Sequence, residues 1–186
     1  MSLTQKRLLQ FPLLFLIIFL VILPLEWTVF SQLPFYLGPF NFLSILITYI
    51  ALTRSLAQTL VWGLVGGLIS SLLYPFGFGA IIAAFAWSAM AAKLMTYALP
   101  FDSRVPFAAL VCYQIAFCKI LWRLLTLHTY HGIGWLDYIL KNIPSFFTSG
   151  IIAFIALPFF VVWDEFFENN SPKSSDLKPS IMGMRR

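Results

Sequence analysis

The sequence predicts an all-α integral membrane protein, a bundle of about six transmembrane helices with both termini in the cytoplasm (N-in/C-in), and three observations carry that expectation. The 186 residues are 60% hydrophobic and only 10% charged, a balance that a soluble domain of this length does not tolerate. The stretches 11–25, 39–53, 56–78 and 144–163 contain no charged residue, as membrane-spanning segments require. Lys and Arg are also unequally shared between the segments joining them. With the N-terminus inside, Lys6, Arg7, Arg54, Lys93, Arg104, Lys173, Lys178, Arg185 and Arg186 fall on the inner side, against Lys119, Arg123 and Lys141 outside, nine of the twelve.

The spans follow in chain order from apolar length, with Pro, Gly and charge as punctuation. The first, 8–27, starts after Lys6 and Arg7 like a signal peptide. No small-x-small cleavage site follows Leu25, and the chain continues Glu26, Trp27, Thr28, so it reads as a retained helix. The second, 40–53, is short for a hydrocarbon layer of about 30 Å, which needs about 20 helical residues. The third and fourth are 56–73 and 79–99, joined by a turn in which Pro75 keeps Tyr74 out of the α conformation and Gly77 and Gly79 permit tight reversal. The fifth is 105–125. An outer connection, 126–142, carries Trp135, Leu136, Ile139 and Leu140 as a short helix in the membrane interface, before the last span, 144–163, led by Pro144. Residues 1–163 thus form the transmembrane domain, and 164–186 read as a cytoplasmic, disordered tail.

The net charge of +5 lies between apolar runs, where it sets orientation, so nucleic acid is not an expected partner. Cys112 and Cys118 are six residues apart, about 240° around a helix, which suits neither a disulfide nor a metal pair. Apart from Glu26 at the outer boundary of the first, the spans carry no Asp or Glu, and no phosphate loop, H-E-x-x-H, G-x-S-x-G or dinucleotide fingerprint occurs. His128 and His131 form an H-x-x-H without a third ligand nearby. No enzyme, cofactor or metal is expected.

Two constellations stand out. Lys119 and Arg123 are four residues apart, on one helical face, in the outer half of the fifth span. Either they snorkel to the outer headgroups, or they face the bundle or a partner and bind an anionic group, a lipid phosphate or a carboxylate. Gly63, Gly67 and Ser71 recur every fourth residue with Gly66 and Ser70 beside them, a small-residue face for close helix packing against the chain itself, a second copy, or a partner.

The segments GLVGGLISSLLYPFGFGAIIAAF (63–85) and IPSFFTSGIIAFIALPFF (143–160) resemble the rod-shape-determining MreD family of bacterial inner-membrane proteins. The first is similar to that family's Gly-Leu-rich helix, Pro-x-Gly turn and small-residue helix, and the second to its Pro-Ser-led last span. The resemblance implies a nonenzymatic component of lateral cell-wall elongation and peptidoglycan synthesis. Its implied partners are MreC and, through it, MreB, RodA and a penicillin-binding protein, besides membrane lipid. Where the family often has Asp in a G-x-x-x-D stretch, the position counted from Gly67 is Ser71. Two other classes compete. A substrate-binding membrane subunit of an energy-coupling-factor transporter has a similar outline, but 11–21 lacks the Ala-x-x-x-Ala coupling surface of that family. A lipid-modifying enzyme would rest on His128 or His131.

Overall fold

The computed structural model describes residues 42–73, 78–98, 103–126 and 134–168, with positions 12, 13, 16, 17, 20 and 24. Most of the expected first span, the turn residues Pro75 and Gly77, the two histidines and positions 169–186 lie outside the described residues, while 164–168, expected to begin a disordered tail, are helical. Five helices follow one another: α1 (Phe42–Thr53), α2 (Leu56–Leu73), α3 (Phe78–Ala98), α4 (Arg104–Leu125) and α5 (Trp135–Glu168). Three of them, α3, α4 and α5, are long and apolar enough to cross a membrane, and α1 and α2 are shorter apolar helices.

Local chemistry explains where the helices begin and end. Ser55 separates α1 from α2: its carbonyl accepts the Thr59 amide at 2.9 Å and its hydroxyl the Gln58 amide at 3.4 Å, the bonds an N-cap serine makes. Thr126 closes α4, its amide and hydroxyl both donating to the Trp122 carbonyl, at 3.0 and 2.7 Å. Gly79, expected in a turn, lies instead in the first turn of α3, where a side chain would meet nothing within 4 Å.

α1 is the centre of the molecule. Leu43 to Ala51 are buried without interruption, and the helix touches α2, α3, α4 and α5. Its sequence is apolar on every side, and such a helix belongs inside a bundle rather than at its surface. At 12 residues it is about 18 Å long, well short of a bilayer's hydrocarbon core of about 30 Å.

α5 departs most from expectation. The interfacial segment and the last span are one helix of 34 residues with Pro144 and Pro158 inside it, about 51 Å long. Pro144 is therefore an internal helix residue, not a turn. At Pro144 a proline removes the one backbone donor that would serve the Leu140 carbonyl, and one turn further on the Thr148 hydroxyl makes an ordinary back-bond within the helix, 2.9 Å from the Pro144 carbonyl and 3.3 Å from that of Ser145.

Candidate functional site

Two seams join the helices, and each gathers one of the constellations expected from the sequence. In the first, α2 lies against α3 through its glycines. A β-carbon built on Gly63 would stand 2.8 Å from the Ala89 β-carbon and 3.3 Å from the Ala86 α-carbon. On Gly67 it would stand 2.7 Å from the Ile82 α-carbon. Backbone therefore meets backbone, which only the smallest residue allows. Gly66 points elsewhere, to the tip of Ile47 on α1. Ser70 and Ser71 are buried, and the Ser71 hydroxyl donates to the Leu68 carbonyl of its own helix at 2.6 Å. The stripe is filled from within the chain, and the exposed face of α2 is Leu64, Leu68 and Leu72.

The second seam joins α4 to α5 with polar side chains. Lys119 does not snorkel: its ammonium donates to the Asn142 side-chain oxygen at 2.7 Å and to the Ser145 hydroxyl at 2.9 Å, and lies 5.6 Å from the Phe146 ring centroid. Arg123 is 5% exposed, its guanidinium 5.5 Å from the Tyr138 ring centroid, a cation–π distance. The Tyr138 hydroxyl donates back to the Lys119 carbonyl at 3.1 Å, and the Asn142 amide donates to the Tyr138 carbonyl at 2.8 Å. Both side chains of this pair turn into the α4–α5 seam, against an amide, a hydroxyl and aromatic rings. Their partners lie on the first turns of α5, which the sequence presents as a separate interfacial segment.

Further groups went unnoticed in the sequence. Gly150 makes the close approach on α5: a β-carbon there would meet the Cys112 sulfur at 2.6 Å. Ser145, Ser149 and Ala153 line the same face, buried at four-residue spacing, a second small-residue stripe. The spacing is present in IPSFFTSGIIA, but the two phenylalanines in that stretch draw attention from it. Gln114, fully buried on α4, receives a hydrogen bond from Thr48 of α1. At the far end of α1, Arg54 forms an ion pair of 2.9 Å with Asp164, whose other carboxylate oxygen accepts the Tyr49 hydroxyl at 3.1 Å. Lys93, 7% exposed, donates to the Ala51 carbonyl at 2.8 Å. Nothing short of the tertiary structure pairs these residues, since 42 to 115 positions separate the partners.

Among the described residues no group of three or more His, Cys, Asp or Glu is placed to hold a metal ion. Fold and seams together define an all-helical membrane protein with an interior held by small residues and neutral or cationic hydrogen-bond donors. Comparison with protein-family models, curated proteins and solved structures finds no match.

Proposed function

We propose that this chain is a nonenzymatic membrane component of the cell-wall elongation (rod-shape) machinery, MreD-like, that works through helix–helix contacts with partner membrane proteins. In this proposal it is a multi-pass protein of the bacterial inner membrane. The apolar stretch 8–27 and the five helices make six spans, with both termini in the cytoplasm. One observation carries the reading. The two segments that resemble the MreD family both contribute to the seams: 63–85 supplies the glycine contact of α2 with α3, and 143–160 supplies Ser145 and Gly150 against α4. Residues used for close packing fit a protein whose output is a shaped surface presented to other helices.

The glycine face being filled by α3, a partner such as MreC is sought on the exposed rows, Leu64 and Leu68 of α2 and Ile151 and Ile155 of α5. Photocrosslinkers placed there in native membranes are expected to capture MreC, and depletion of the chain is expected to round rod-shaped cells. Unchanged shape together with capture of lipid alone would overturn the proposal. A vitamin that copurifies in stoichiometric amount would favour the transporter subunit instead.

A further inference from the structure

We propose that α1 is a pinned core helix whose depth is set by side chains of neighbouring helices rather than by the bilayer, and that Asp164 is the catch through which the end of α5 holds it. This goes beyond the proposed function and stands without it. A membrane positions an ordinary span by two means, the match of its apolar length to the hydrocarbon core and the anchoring of polar and aromatic residues at both interfaces. Both are weak for α1, which at about 18 Å is too short for the first and, buried from Leu43 to Ala51, offers only the partly exposed Phe42, Leu52 and Thr53 at its ends to the second. Apolar packing registers α1 at one point, the Ile47 tip seated against Gly66 of α2, and leaves its other aliphatic contacts some freedom to slide.

Directional bonds remove that freedom, and α1 has them at two levels. Midway, Thr48 bonds Gln114 of α4. At the C-terminal end, where the helix dipole places partial negative charge, cations are favoured. Lys93 of α3 caps the Ala51 carbonyl from outside the helix, and Arg54 reaches Asp164 of α5. Asp164 is the junction of this arrangement. One of its carboxylate oxygens takes Arg54, and the other shares the Tyr49 hydroxyl with the Phe160 carbonyl, each at 3.1 Å, while the Tyr49 ring stacks on that of Phe160 with centroids 5.0 Å apart. A single side chain four residues before the end of α5 thus holds both the last turn of α1 and the residue that follows it. Whatever displaces the end of α5 acts on the core helix directly.

The test measures position rather than stability. Spin-labelled unnatural amino acids at the exposed positions 55 and 103 report the distance between the end of α1 and the start of α4 in the full chain, in phosphatidylethanolamine–phosphatidylglycerol bilayers. The unmodified chain is expected to give one narrow distance. Asp164→Asn is expected to broaden or shift it by about 3 Å, the rise of two helical residues, while Asp164→Glu keeps it narrow. An unchanged distribution in folded Asp164→Asn would overturn the proposal. Should that variant not accumulate, Thr48→Val combined with Gln114→Leu, which leaves an apolar core, decides in its place: a broadened distance supports pinning and an unchanged one refutes it.

Discussion

The α2–α3 and α4–α5 seams solve the same problem in different ways. In an apolar solvent helices gain little from burying aliphatic surface against each other, so contact must come from close packing or from hydrogen bonds. The α2–α3 seam takes the first route, removing side chains at Gly63 and Gly67 until a β-carbon would stand within 3 Å of the opposite helix. The α4–α5 seam adds the second, with Lys119, Asn142, Ser145 and Tyr138 bonded across it beside the close approach of Gly150 to Cys112. A glycine contact is steric and tolerates no enlargement, whereas a bonded contact loses only what each bond contributes. Small-residue spacing alone does not reveal which route a helix uses, since Ser145, Ser149 and Ala153 share that spacing with Gly63 and Gly67.

That difference orders the expected effects of substitution. Gly67→Val is expected to be the most damaging, since the new side chain meets the backbone at Ile82; a loss of about 3 kcal/mol or more, at the upper end for overpacking, would appear in reversible unfolding in detergent as a failure to form the native bundle. Gly150→Ala is expected to cost about 1–2 kcal/mol, and Cys112→Ala added to it should recover part of the loss by vacating the space the sulfur fills. No recovery would show that the contact at Gly150 is with backbone after all. Lys119→Met removes the bonds to Asn142 and Ser145 while keeping the stem, and about 1 kcal/mol is expected from bond strengths inside membrane proteins. If it costs as much as Gly67→Val, the contrast between seams fails. Gly66→Ala is expected to cost less than Gly63→Ala by thermal denaturation, because only the flexible tip of Ile47 must move. Gly79→Ala should be neutral or raise stability by about 0.5 kcal/mol, as relief of glycine's conformational entropy predicts.

Much of the helical layout is legible in the sequence. The stretch 56–73 is α2, and 40–53, 79–99 and 105–125 differ from α1, α3 and α4 by one or two residues at their ends. Apolar runs bounded by charge and turn residues locate helices well because each must satisfy its own backbone. The α5 boundary was illegible for a physical reason: Pro144 and the charged residues before it mark an end in a soluble helix, but in apolar surroundings no water serves freed backbone groups, so ending the helix there costs more than the one bond that proline removes. The face of the Lys119–Arg123 pair was equally illegible, since snorkelling and inward bonding require the same spacing.

Composition and periodicity alone establish that the chain is helical and membrane-embedded, and mark the small residues and the cation pair that matter most. They do so because apolar length and backbone satisfaction are properties of each segment separately. Only the tertiary structure decides that α1 is buried from Leu43 to Ala51, that Gly63 and Gly67 are consumed by α3, and that Arg54 and Asp164, 110 positions apart, meet at its end. Those outcomes depend on which faces confront each other, and in a solvent as apolar as the side chains hydropathy does not distinguish a face turned to lipid from one turned to protein.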